Sequence, residues 1–259
     1  MLAATVDTAD TVQDLRPAGY RVPVSTLARD DAPISRAADL RQAESSWVYS
    51  LGIPVGVLRP DDSAVREIED ALQNAERSSD DFALTVARWV LGVALLHRHT
   101  AAERDRGHKV LAEVGEVFMR QGHNLADLPL VNVYLARERA RRGDRDEAIP
   151  LMRTAVDHLF REKWLLTWGI VATGVLVETL LDRGAESDMA EAEAAIKRLA
   201  DAPADEGLVI RDIWLLRLRA LLARAHGDNT AYRDYRDRYC DMATSLGFEG
   251  HIAWAEAMP

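Results

Sequence analysis

Apolar residues recur at spacings of three and four over most of this chain. Val65, Ile68 and Leu72 form one such series, and Leu111 and Val114 belong to another. This spacing places apolar side chains on one face of an α-helix. No stretch shows the alternating pattern of a strand, so we predict an all-α fold. The predicted helices are 34–51, 62–77, 81–98, 101–121, 128–142, 145–161, 164–183, 188–200, 208–226, 229–245 and 249–257.

Helix starts are marked by a Thr or Asp followed three residues later by Glu. Thr100 and Glu103 have the spacing of a capping box, in which each side chain binds the other residue's backbone amide. The same spacing occurs in two further pairs, Asp144 with Glu147 and Asp188 with Glu191.

The first part of the chain lacks this periodicity. Pro17, Gly19 and Pro23 interrupt it, and no apolar face continues through them. We therefore interpret residues 1–32 as a linker or poorly ordered arm and residues 33–259 as one helical repeat domain.

The breaks between helices are themselves periodic. When Pro60, Thr100, Gly143, Gly184 and Gly227 are taken as equivalent points, the steps between them are 40, 43, 41 and 43 residues. A long apolar helix ends at each point and a more amphipathic one begins, which is typical of the helical hairpin of an α-solenoid.

One unit is similar to the tetratricopeptide pattern. It runs from Leu135 to Asp157, with Gly143 at the turn and Ala148 where the two helices would approach closely. The sequence thus predicts a tetratricopeptide-like, right-handed α-solenoid of about five helical hairpins. The segment GHIAWAEAM near the carboxyl terminus would add a capping helix.

Several blocks, in order, resemble the helical repeat tail of large actinobacterial proteins. In that family the tail follows a class III adenylate or guanylate cyclase domain and an AAA-type ATPase. The likeness covers about residues 47–259, and its blocks are DDSAVREIEDAL (61–72), LLHRHTAAERDRG (95–107), ARERARRGDRDEAIPLM (136–152) and residues 183–259. The resemblance implies a regulatory or partner-sensing role. Nothing before residue 47 corresponds to the catalytic domains.

The composition and charge of the chain limit the partners and the cellular location that we expect. With 42 acidic and 32 basic residues, the net charge of −10 opposes binding to nucleic acid. The longest uncharged stretch, residues 164–177, is shorter than the roughly 18–20 residues that span a bilayer, so no membrane association is expected. A single cysteine, Cys240, and an acidic amino terminus without an apolar run favour a cytoplasmic protein.

Motifs for catalysis are not found. A phosphate-binding ATPase loop needs a Gly-Lys pair, and the sequence contains none. His97, His99 and His108 cluster at one helix break, but helix-end capping explains them better than a metal site. We therefore predict no enzymatic activity, no catalytic residue, no cofactor and no metal.

The repeat register nominates a binding face instead. Mostly charged residues fall on otherwise apolar helices at positions that line the groove of tetratricopeptide proteins. A basic groove on an acidic protein would favour an acidic peptide or partner protein, such as a signalling cyclase or ATPase, or a small anionic ligand. The residues are Arg137, Arg141, Glu178, Trp214, Arg217 and Arg224.

Three functions are compatible with these sequence features. The first is a non-catalytic protein-interaction or regulatory module. The second is a repeat domain that senses a small effector in the groove. The third is part of a transcriptional regulator, which the acidic charge and the lack of a recognition-helix segment disfavour.

Overall fold

The computed structural model describes residues 48–78, 81–121, 127–163, 168–203 and 208–258. The predicted arm, residues 1–32, and its boundary with the repeat domain lie outside these ranges, as does most of the predicted helix 34–51. The described residues form helices and no strand, which confirms the all-α class.

Eleven helices are present in the described ranges. The first, α1, covers residues 48–55. The others are α2 (Asp62–Ser78), α3 (Asp81–Leu96), α4 (Ala101–Gln121), α5 (Leu128–Arg141), α6 (Arg145–Arg161), α7 (Ile170–Arg183), α8 (Asp188–Asp201), α9 (Val209–Ala225), α10 (Asn229–Leu246) and α11 (Glu249–Glu256).

Consecutive helices pair. The hairpins are α3 with α4, α5 with α6, α7 with α8, and α9 with α10. The first helices of neighbouring hairpins also touch, so that α3, α5, α7 and α9 pack in series, and each second helix contacts the first helix of the next hairpin. The first helices are therefore covered by neighbours along most of their surface, which explains their apolar sequences.

The glycines that mark the sequence period lie at the ends of first helices. Gly143, Gly184 and Gly227 have φ angles of 104°, 66° and 75°. This left-handed region strains residues that carry a Cβ. Glycine at these positions lets the chain leave one helix and enter the next within a few residues.

Ion pairs repeat with the hairpins. Arg139 binds Asp144 at 2.7 Å and Arg183 binds Asp188 at 2.5 Å, each joining the last turn of a first helix to the start of the second. A second series joins neighbouring hairpins between residues 36 to 41 positions apart. Its pairs are Arg98–Asp62, Arg106–Glu69, Arg142–Asp105, Arg183–Asp146, Arg153–Glu191, Arg198–Asp157 and Arg217–Glu178.

Two of the three predicted capping boxes do not form, because ion pairs take their carboxylates. Thr100 and Glu103 form one, with the Glu103 amide 3.2 Å from the Thr100 hydroxyl. Asp144 begins α6 without a side-chain cap, because its carboxylate is held by Arg139. The cap residue of α8 is Ser187, while Asp188 accepts hydrogen bonds from the Arg183 side chain. The predictions at Asp144 and Asp188 were wrong because a nearby guanidinium takes the carboxylate.

Ala148 provides a test of the packing. It lies on α6 with no exposed surface, whereas Leu151, less than one turn further, is 46% exposed. We expect Ala148→Arg to lower the free energy of unfolding by several kcal/mol, because it must bury a charge or separate two helices. Leu151→Arg is the control and should change it by less than about 0.5 kcal/mol. Equal urea-unfolding midpoints for the two variants would contradict this packing.

Candidate functional site

The two ends of the described chain meet at one backbone carbonyl. The oxygen of Val55, at the end of α1, accepts hydrogen bonds from Trp214 Nε1 at 3.1 Å and His251 Nε2 at 2.9 Å. The amides of Glu249 and His251 bind the carbonyls of Val57 and Gly56 at 3.0 and 2.9 Å. Helix α11 is thereby held against the segment that follows α1 and against α9.

Trp214 is a core residue of this junction. It is 3% exposed, and its ring lies 5.4 Å from that of Trp254 in α11. On its other side is Gly174 in α7, where a Cβ would lie 2.1 Å from the indole ring. The structure therefore places Trp214 inside the protein and leaves no open surface on it for a ligand.

Arg217 follows Trp214 by one turn and is largely buried. Its side chain is 14% exposed and forms an ion pair with Glu178 of α7. The guanidinium also lies over the Trp254 ring, 5.2 Å from its centre. Its Nε is buried without a hydrogen-bond partner. Burial and the nearby charge of Arg137 lower the pKa of Arg217.

Arg141 joins α5 to the end of α3. It pairs with Glu138 at 2.5 Å and donates to the Leu96 carbonyl at 3.4 Å. Glu138 is buried and also lies 3.8 Å from Arg104. Burial, together with the charge of Arg137, lowers the pKa of Arg141 to about 10.

Arg137 differs from both neighbours because none of the described carboxylates is in direct contact with it; the charges of Glu138 and Asp182 act on it only from a distance. Among the described residues it makes no hydrogen bond and no ion pair, although burial lowers its pKa. Its positive charge acts on Arg141, Arg217 and the imidazole of His97. A half-buried cation beside two other cations is unfavourable unless an anion joins it.

A cavity opens at Arg137. It has a volume of about 80 Å³, opens to solvent, and lies between α5, the start of α6 and α7. Its charged lining residues are Arg137, Arg141, Arg145, Glu178 and Asp182. We call this space the arginine cavity.

Four of the six residues nominated from the sequence thus lie together. Arg137, Arg141 and Glu178 line the arginine cavity, and Arg217 binds Glu178. Trp214 packs behind them. Arg224 lies at the exposed end of α9, where its side chain contacts no described residue through a hydrogen bond or an ion pair.

Sequence reasoning missed several residues around Arg137. Tyr134, one turn earlier, is fully buried, and its hydroxyl has no hydrogen-bond partner within the described ranges. Its ring lies 5.3 Å from that of His97, which in turn stacks on Trp254 at 6.2 Å. Tyr134 stands three residues before Arg137 and therefore on the same face of the helix, and this spacing is the sequence signal that could have identified it. Asp182 could have been found as the residue four positions after Glu178.

Two histidines, half-buried His97 and fully buried His251, are held neutral. Burial and the nearby arginines lower the pKa values of His97 and His251 to about 3. His251 donates from Nε2 to Val55, which leaves Nδ1 to accept from the Tyr239 hydroxyl at 2.9 Å. Nδ1 of His97 donates to the Val93 carbonyl at 2.9 Å.

Other candidate chemistry gains no support from the described part of the chain. No group of three His, Cys, Asp or Glu side chains in it is placed to hold a metal ion. The thiol of Cys240 is half-buried, and burial raises its pKa, which disfavours the reactive thiolate. None of its helices has both the length and the apolar character needed to cross a bilayer.

Comparison with known proteins identifies no relative of this chain. No protein-family model, curated protein or solved structure that was compared with the chain matches it. The arginine cavity therefore has to be interpreted from its own geometry.

The histidines predict a pH dependence of stability. Because their folded pKa values are below the unfolded value, they stabilise the protein above about pH 6.5, and this stability is lost as the pH falls toward 3. Between pH 7 and pH 5, protonation of each histidine in the unfolded chain should lower the free energy of unfolding by about 2 kcal/mol. Asp127, whose pKa burial raises to about 6, acts in the opposite direction and offsets part of the loss.

We expect His251→Asn to weaken the pH dependence of the unfolding free energy by about 2 kcal/mol over this interval. His97→Asn should do the same independently. His226→Asn, at an exposed position, is the control and should match the wild type. Urea unfolding at both pH values measures the difference. Identical pH dependence in all four proteins would show that neither His97 nor His251 is held neutral.

Proposed function

We propose that this protein is a non-catalytic, cytoplasmic regulatory module that recognises a carboxylate group of an acidic protein partner. The observation that carries the proposal is Arg137, which lines the arginine cavity and forms no ion pair with any described residue. A carboxylate is the group that a planar guanidinium binds best, through two parallel hydrogen bonds.

The surrounding contacts support binding of an anion. Glu138 neutralises Arg141 and Glu178 neutralises Arg217, so the free positive charge is concentrated at Arg137 and at Arg145 on the cavity rim. An incoming carboxylate would relieve the repulsion among three arginines without breaking an existing ion pair.

We also propose that the hairpins form a tetratricopeptide-like solenoid related to the tails of cyclase and ATPase signalling proteins. The serial contacts among α3, α5, α7 and α9 support this, as do the left-handed glycines at steps of 41 and 43 residues. So do the ion pairs between equivalent places in neighbouring hairpins. In such a setting the acidic partner would belong to the signalling machinery.

A small effector is the second candidate for the occupant. Trp214 and Trp254 fill the space next to α9, so the open part of the site is confined to the arginine cavity. The same arginine would then bind a free carboxylate.

Calorimetry distinguishes the two occupants. The probes are glutarate and a pentaglutamate peptide with blocked termini, both titrated at low salt. We expect Arg137→Gln to abolish binding of any probe that the wild type binds, since it removes the half-buried guanidinium that would bind the carboxylate. Arg224→Gln removes the same charge at an exposed site and should bind as the wild type does. The affinity should fall as salt is raised.

Tighter binding of the peptide would favour a protein partner, and tighter binding of glutarate a small effector. Circular dichroism must show that both variants are folded. Wild-type affinity in a folded Arg137→Gln variant, or no binding of either probe by the wild type, would overturn the proposed function.

A further inference from the structure

The arginine cavity has walls of opposite charge. Helix α5 and the first residue of α6 contribute Arg137, Arg141 and Arg145. Helix α7 contributes Glu178 and Asp182, which are four residues apart and therefore on one face of the helix. A ligand in this space meets cations on one side and carboxylates on the other.

Only some of these charged side chains lack an ion-pair partner among the described residues. Arg141 is held by Glu138, and Glu178 by Arg217. Within the described ranges no ion pair is formed by Arg137, Arg145 or Asp182. The charge of Asp182 is close enough to act on Arg137. The cavity thus retains unpaired cations on the α5 side and one unpaired carboxylate on the α7 side.

This arrangement discriminates among anions. A purely anionic ligand is attracted to Arg137 but repelled by Asp182, so part of its favourable binding free energy is lost. A ligand that carries an ammonium group next to its carboxylates satisfies both walls and leaves neither charge unpaired.

We infer that the arginine cavity binds a small zwitterion of the acidic amino-acid class, with a carboxylate at Arg137 and the ammonium group at Asp182. The inference rests on the proposed carboxylate site and takes the second candidate occupant, a small effector. Arg145, at the rim, is placed to bind the second carboxylate.

The test compares glutamate with glutarate, which has the same carbon chain and both carboxylates but no ammonium group. By calorimetry at pH 7, the wild type should bind glutamate roughly tenfold more tightly, about the value of one charge-assisted hydrogen bond. Asp182→Asn should remove this preference, because it weakens glutamate binding and relieves the repulsion of glutarate. Glu186→Gln is the matched control: it removes an exposed carboxylate in the loop after α7, outside the cavity lining, and should keep the preference.

The outcomes separate this inference from the proposed function. Equal affinities for glutamate and glutarate, both abolished by Arg137→Gln, would overturn the zwitterion and leave the carboxylate site intact. Equal weakening of both ligands by Asp182→Asn would also overturn it, as would a wild type that binds only the blocked pentaglutamate peptide. Binding of neither small molecule nor the peptide would overturn both conclusions.

Discussion

The central constraint in this structure is an arginine that the fold surrounds without neutralising. Glu138 and Glu178 are each within reach of a guanidinium, but they pair with Arg141 and Arg217 and leave Arg137 alone. Holding such a group costs free energy, since burial opposes its ionised form and its charge acts against those of Arg141 and Arg217. Proteins accept this kind of cost at sites where a ligand later supplies the missing charge.

The rest of the fold keeps that arginine in place. Helix α5, which carries it, is buried between α3 and α7, and the segment after α1 and helix α11 close the neighbouring space. One carbonyl, that of Val55, accepts from residues in α9 and α11 and so joins three distant parts of the chain. Since Trp254 lies between Arg217 and His97, α11 also sets the shape of the surroundings in which the cations lie.

Periodicity and glycine predicted the helices well because both act over a few residues. The predicted helix 145–161 coincides with α6, and Gly143, Gly184 and Gly227 end helices in the left-handed conformation, as their spacing indicates. The caps at Asp144 and Asp188 were not predictable from spacing, because arginines near the end of the preceding helix compete for their carboxylates.

The candidate site was predictable only in part. Charged residues on apolar helices pointed to Arg137, Arg141, Glu178 and Arg217, which do lie together. The position of Trp214 depends on Val55, a partner 159 residues away, and that contact has no local sequence signal. Which arginine lacks an ion-pair partner is likewise decided by tertiary pairing.

The most direct measurement of whether Arg137 is an uncompensated cation kept for binding is the stability of Arg137→Met by urea unfolding without ligand. If it is, methionine should raise the free energy of unfolding by about 1 kcal/mol or more, because it fills the same space without repelling Arg141 and Arg217. A loss of stability would show that Arg137 holds the fold together, and would contradict a role kept for binding.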